Sequence, residues 1–247
     1  MQDADRHPDL IRRKAEAWSE HVHDFLVYLE REGFDGSPRS LGLADDGTEA
    51  VTWVDGWASG IPFDGPLVEP DGMESVGRLL RRFHDVSAGY RPKPNAIWAT
   101  GVIPMQAGDV IRHGDISATN IVWNYGEATA LIDWEFAHPG PPIDDLALAA
   151  WLLGPMVPRP QQIEAGFPTG APLRRRLDAL LVGYDRFTLL EVLDAYGELL
   201  GSEYERRKKL GAAGVEPWAG YVKNGQLNQI EETARWFNAR GRSRILR

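Results

Sequence analysis

Cysteine is absent from all 247 residues, which excludes disulfides, thiolate metal sites and cysteine nucleophiles. No apolar run approaches the roughly 18 residues that a membrane span requires. The opening residues, MQDADRHPDL, have neither a basic start nor an apolar core, so no secretory leader is expected. These absences lead to the expectation of a cytoplasmic protein without a membrane partner. Positive charge is scarce: 27 Lys and Arg face 36 Asp and Glu, a net charge of −9. That balance argues against nucleic acid, whose phosphates reward basic surfaces, and it suits a cationic small molecule. Internal repeats and low-complexity segments are missing as well.

Chemistry concentrates in one stretch, DVIRHGDISATNIVWNYGEATALIDWE, from Asp109 to Glu135. It holds His113-Gly114-Asp115, then Asn120, then Asp133. Between the last two lie the apolar runs Ile121–Trp123 and Ala128–Ile132, separated by Asn124-Tyr125-Gly126-Glu127. Apolar, β-branched runs around a Gly-containing polar four-mer predict a β-hairpin. A hairpin returns the chain beside its start and so gathers Asn120, Asp115, Asp133 and Glu135 at one end of two strands. Hard oxygen ligands with no cysteine and one nearby histidine suit Mg²⁺ rather than zinc.

His-x-Asp-x-x-x-x-Asn, a hairpin and a second Asp resemble the catalytic and metal-binding loops of the protein-kinase-like fold. The wording HGDISATN, LIDWEFAHPG and IDDLALAAW is closer to the aminoglycoside phosphotransferase and choline kinase family than to protein kinases. Protein kinases have Arg where Gly114 stands and Asp-Phe-Gly where Asp133-Trp134-Glu135 stands. The resemblance implies an α+β, two-lobe fold with a mainly helical C-terminal lobe. It implies a phosphotransferase using ATP or GTP with Mg²⁺ and a small, cationic hydroxyl compound as acceptor. By that resemblance Asp115 handles the proton of the attacking hydroxyl and His113 braces the loop. Asn120 and Asp133 hold the metal, with Glu135 ranked behind them. Phosphoryl transfer needs mainly positioning and charge neutralisation, which is what such a constellation supplies.

Elsewhere the chain is read by periodicity. Ile11, Ala15, Trp18, Val22, Phe25, Leu26 and Leu29 describe one stripe of an amphipathic helix that Gly33 stops. His21 and His23, two apart, point to different faces and make no metal pair. Ser40–Leu43 and Ala50–Val54 are strand candidates around the turn Asp45-Asp46-Gly47. Val54-Asp55-Gly56 reads as the hinge between a small lobe, 1–56, and a large one, 57–247, which carries the catalytic loop 112–120 and the metal hairpin 120–135. Backbone groups around Trp53, Val54 and Asp55 are then expected to meet the nucleotide base. Met73, Val76, Leu79, Leu80 and Phe83 predict a second helix, with Arg78, Arg81 and Arg82 on its polar face. Asp144 and Asp145 are read as helix-start acids serving cap and dipole. Pro155 to Pro172 is an exposed excursion, and 173–239 is mostly helical, with a break near Gly201 and a single helix over Trp218–Phe237. Among those helices Asp185, Glu191, Asp194, Glu231 and Glu232 are candidates for holding a cation. Nine tryptophans invite an aromatic box, although packing is the commoner use of such rings.

One departure stands at the front. No G-x-G-x-x-G precedes the first helical pattern, so the small lobe is expected to be truncated, without its Gly-rich strand pair. Leu10-Ile11-Arg12-Arg13 resembles the end of the next strand, with Arg12 where the family places its nucleotide-contacting cation. Two further readings follow: a degenerate binding or regulatory module with little turnover, or a fragment of a longer product.

Overall fold

The computed structural model describes residues 10–247. Residues 1–9, which hold the segment read for a leader and the front of the expected small lobe, lie outside the described residues. Strand β1 (Leu10–Lys14) is followed by helix α1 (Ser19–Arg31), strand β2 (Ser40–Leu43) and strand β3 (Thr48–Thr52). β3 runs between the other two in an antiparallel sheet of order β1-β3-β2. The predicted hairpin is therefore a three-strand sheet, and Ile11 and Ala15 do not belong to the helix. Arg12 and Arg13, long and charged, alternate faces in β1, whereas a helix through them would bury part of the doublet. The genuine stripe is Val22, Phe25, Leu26 and Leu29, all buried, spaced three, one and three apart as one helical face requires.

Past residues 53–56, helix α2 (Pro70–Ser87) opens on a proline in its first turn and buries Met73, Val76, Leu79, Leu80 and Phe83. A two-residue pair, β4 (Ile97–Trp98) with β5 (Gly101–Val102), lies in the 90–108 loop. Then come β6 (Val110–Arg112), β7 (Ile121–Asn124), β8 (Glu127–Leu131) and β9 (His138–Gly140), paired β6 with β9 and β7 with β8. The C-terminal part is helical: α3 (Ile143–Leu152), α4 (Arg159–Glu164), α5 (Leu173–Tyr184), α6 (Leu189–Ala212), α7 (Trp218–Lys223) and α8 (Gln226–Trp236). α6 runs unbroken through Gly201. The helix expected over 218–237 divides at Gly225, which adopts φ 81°, a left-handed conformation that ends helices.

α2 packs against α5 on one side and against β6 and β8 on the other. Gly77 on α2 and Gly183 on α5 allow a close crossing: a Cβ at Gly77 would lie 2.2 Å from the Leu180 carbonyl, and one at Gly183 would lie 2.0 Å from that of Glu74. Arg176, fully buried beneath this crossing, donates to the carbonyls of Leu67, Val68, Leu153 and Gly154. Burial lowers its guanidinium to about 10, and four acceptors satisfy a charge that would otherwise be costly to bury. Among the described residues no helix is long and apolar enough to cross a membrane.

Candidate active site

The loop after β6 is held from behind. Asp145, in the first turn of α3, is completely buried, and its carboxylate accepts the backbone N–H of His113 at 2.8 Å and of Gly114 at 3.1 Å. His84 of α2 lies 3.1 Å from the same carboxylate, and its other ring nitrogen is 2.8 Å from the Tyr184 hydroxyl. Burial alone would raise this carboxyl; the hydrogen bond from His84, with the charges of His84 and Arg112, overrides burial and holds it well below the ordinary range. The sequence assigned Asp145 to helix capping, but it makes no cap hydrogen bond and serves the loop instead. Gly114 adopts φ 78°, and a Cβ there would stand 2.3 Å from the Phe136 carbonyl. No side chain fits, which accounts for glycine at this place.

His113 is buried against Trp134, ring centroids 4.7 Å apart. Its Nε2 donates to the Ile132 carbonyl at 3.0 Å, and its Nδ1 accepts the Asp115 N–H at 3.3 Å. Both nitrogens are engaged, so this ring ties the loop to the hairpin and has no lone pair left for a substrate proton. Asp115 projects from the loop, and its Oδ2 accepts from the Asn120 carboxamide at 2.9 Å. Burial, then repulsion from Asp133, raises its pKa despite the lowering effects of His113, Asn120 and Arg207. A carboxyl lifted towards neutrality is a better general base than an ordinary surface Asp.

Local geometry brings the second acid round. Tyr125 and Gly126 have φ 50° and 86°, the pair of positive φ values of a type I′ hairpin turn. Ile121 pairs with Leu131, and one step further Ile132 N–H donates to the Asn120 carbonyl at 2.9 Å. Asp133 thus emerges beside Asn120. It sits in the left-handed region, φ 62° and ψ 69°, a conformation that costs of order 1 kcal/mol and caps nothing. Asn120 uses its amide N–H on Asp115, and its Oδ1 accepts a long hydrogen bond from the Thr119 hydroxyl at 3.5 Å. Glu135, two residues on, is raised by burial and then by Asp133.

A cation from the sheet reaches these acids, and it is Arg13. Arg12, nominated from the sequence, lies on the opposite face of β1, half exposed and 3.7 Å from Asp46. Arg13 sits 3.1 Å from Asp133 Oδ1 and 3.9 Å from Glu135, and it pairs with Glu49 of β3. Glu49 is buried and also contacts His23 of α1 at 3.3 Å; His23 in turn meets Ser40 Oγ at 2.6 Å. Burial would raise Glu49, but hydrogen bonds from His23 and Ser19 and the charge of Arg13 bring it from 4.5 to about 2. A depressed carboxyl contributes stability that is present above pH 4.5 and lost as pH falls through about 2. That difference corresponds to about 3 kcal/mol. Glu49→Gln is therefore expected to cost about that much at neutral pH, with a gap to the wild type that closes between pH 4.5 and 2. Urea midpoints across that range measure it, and a pH-independent gap would refute the assignment.

The sequence missed Arg13, Glu49, His23, Asp145 and His84. A doublet of arginines in a strand offered a signal for the first, since only one of them can face inward. Residues 53–55 form the link after β3, with Trp53 and Asp55 exposed and the Asp55 carbonyl accepting from Asn124 at 2.8 Å. The nominated C-terminal acids lie elsewhere. Asp185 caps α5 beside Arg81, Glu191 closes a capping box with Thr188, Asp194 pairs with Arg242, and Glu231 bonds Tyr204. Glu232 is exposed on α8.

Whether the site suits Mg²⁺ follows from its donors. Asp115, Asp133 and Glu135 repel one another, with Arg13 as a partial counter-charge, so a divalent cation would relieve real strain. Among the described residues no three His, Asp or Glu side chains form a complete metal cage. Magnesium sites of this type need only one or two protein oxygens, with phosphate and water completing the octahedron. Asn120 Oδ1 and the Asp133 carboxylate are oxygens of the type that could fill those places.

Residues 96–180 match the family model described as the phosphotransferase enzyme family, APH. Over 151 residues the chain is 33% identical to the trifolitoxin immunity protein of Rhizobium leguminosarum bv. trifolii, covering 60% of this chain and 56% of that protein. The chain thus spans just over half the length of the curated relative it matches. Among solved structures it superposes on the GDP complex of aminoglycoside 2′-phosphotransferase-IIIa with TM-score 0.58, at 13% identity, covering 93% and 87% of the two chains. It superposes on spectinomycin phosphotransferase APH(9)-Ia, in complex with ADP and spectinomycin, with TM-score 0.56, at 11% identity, covering 96% and 92%. The fold is the protein-kinase-like fold of these phosphotransferases, with a small sheet lobe and a helical remainder.

Proposed function

We propose that this chain, with its kinase-like fold and a phosphotransferase-family segment at its centre, moves the γ-phosphoryl group of ATP or GTP to a hydroxyl of a small molecule. The observation that carries the reading is the hairpin register that sets Asp133 beside Asn120 while Asn120 holds Asp115. Asp115 accepts the proton of the attacking hydroxyl as the new O–P bond forms and the bond to the nucleoside diphosphate breaks. Magnesium, when bound, neutralises charge on the β- and γ-phosphates. Asn120 and Asp133 would hold it, and Glu135 would add negative charge behind them. Arg13, anchored through Nε by Glu49, places a positive charge beside Asp133 that suits a phosphate oxygen. Residues 53–55 border the base. The relative named for toxin immunity and the neighbours named for antibiotics point to a bioactive acceptor.

Calorimetry with and without Mg²⁺ tests this directly. Wild-type protein is expected to bind ATP or GTP in a metal-dependent way. Asp133→Asn should weaken that binding by about tenfold or more while leaving metal-free nucleotide binding unchanged. Equal affinity in the two proteins would remove Asp133 from the metal site. The ion pair of Arg13 with Asp133 favours a second reading, a binding module in which the guanidinium permanently fills the cation position. Nucleotide binding that ignores Mg²⁺ would select that alternative.

A further inference from the structure

The helical part holds a second concave region. An open cavity of about 600 Å³ lies between the α4–α5 link, the first turn of α5 and the end of the chain, a size common among small-molecule sites. Four arginines line it, Arg159, Arg174, Arg175 and Arg244, against one acid, Asp178. Arg174 Nε sits 2.8 Å from both oxygens of Asp178, and its Nη1 donates to the Ile245 carbonyl at 3.3 Å. That wall ties α5 to the short helix α9 (Arg242–Ile245). Arg159 of α4 donates through Nη2 to the Pro168 carbonyl at 2.6 Å, and a Cβ at Gly170 would stand 2.8 Å from its Nη1. Arg175 and Arg244 are exposed, and neither has an ion pair or a side-chain hydrogen bond among the described residues. Asp178 is spent on Arg174, so three guanidinia have no counter-charge in the lining. In a chain of net charge −9, such a gathering marks a place suited to negative charge. Pro172, ahead of α5, offers no side-chain cap, and the positive end of the helix dipole adds to the same field.

We propose that this cavity is a second ligand site, which binds a small polyanion carrying two or more phosphate groups. Guanidinia spread around one space favour a ligand whose charge is divided over several oxygens, because a single phosphate engages fewer of them. Each presents N–H pairs that match phosphate geometry. Arg159 and Arg174 are already held by carbonyls and Asp178, which reduces the side-chain entropy lost on binding. Arg175 and Arg244 keep their donors free to close on the ligand. Asp115, Asn120, Asp133 and Glu135 do not line this cavity, and the inference does not rest on the phosphotransferase reading.

Calorimetry with pyrophosphate tests it, with a chelator present and nucleotide absent, so that no metal bridges the probe to the acid cluster. Wild-type protein is expected to bind pyrophosphate about tenfold or more tightly than inorganic phosphate, with affinity that falls as salt rises. Arg175→Gln and Arg244→Gln should each weaken binding by about fivefold, and the double variant should bring pyrophosphate down to the level of phosphate. Arg31→Gln, which removes an exposed arginine of α1, should change nothing. Citrate, with carboxylates in place of phosphates, should bind more weakly than pyrophosphate. Pyrophosphate binding no tighter than phosphate, an affinity that survives the double variant, an equal loss in Arg31→Gln, or citrate binding as well as pyrophosphate would each overturn the proposal. Should a variant lose its circular dichroism, modification of the wild type by a dicarbonyl reagent decides. Pyrophosphate should shield Arg175 and Arg244 and leave Arg31 reactive, as read by peptide mass spectrometry, and failure to shield them would refute the site. Loss of Mg²⁺–nucleotide binding would sink the phosphotransferase reading without touching this result.

Discussion

Asp115→Asn is expected to lower turnover on the order of 10³-fold while leaving Mg²⁺–nucleotide affinity within about twofold. The substitution keeps the shape of the side chain, including an oxygen able to accept from Asn120, whose amide bonds Asp115 Oδ2 at 2.9 Å. What it removes is the capacity to take a proton. The carboxyl is raised by burial and by Asp133, so the wild-type rate should climb as pH rises through its titration and level off above it. Asp115→Asn should flatten that limb. Single-turnover measurements beside nucleotide calorimetry separate the two effects. A variant that loses affinity and rate in equal measure would show that Asp115 holds the metal, and would transfer the role of base elsewhere.

The second large effect is structural in origin. Asp145→Ala is expected to destabilise the protein by about 3–5 kcal/mol and to silence the site even where the protein still folds. Removing the carboxylate leaves the N–H groups of His113 and Gly114 without their acceptor inside the core, and it strips His84 of one of its two partners. Asp145→Asn keeps one acceptor oxygen but cannot serve both amides and His84 with charge, so an intermediate loss is expected. Urea denaturation at neutral pH measures both, with an unchanged m-value as the check that the unfolded reference is the same. Asp145→Ala within about 0.5 kcal/mol of wild type would place the residue in the ordinary surface class and refute the bracing role.

Asp145 also shows where a one-dimensional reading stops. Two acids opening a helix are well explained by cap and dipole, and nothing local contradicts that. The correct partner, the loop at 113–114, lies about thirty residues earlier and meets Asp145 only because β6 pairs with β9 and α3 follows at once. Glu191 failed in the opposite sense: its capping box with Thr188 is a local pattern, T-x-x-E, that was written in the chain but read as a ligand. The front of the chain misled through period. Ile11 and Ala15 fit a helical stripe by spacing, yet the doublet Arg12-Arg13 fits a strand, whose sides alternate.

Local order, then, was set by the sequence itself: the loop 113–120, the tight turn at Tyr125-Gly126 and the return of Asp133 to Asn120 involve only neighbours in the chain. Short-range sterics and backbone hydrogen bonds are enough to specify them. The tertiary structure alone decided which arginine enters the acid cluster, and that its counter-ion comes from β3 with a histidine of α1 behind it. Those outcomes depend on strand register and on charges brought together from distant segments, and a buried charge takes its partner from whatever packing delivers.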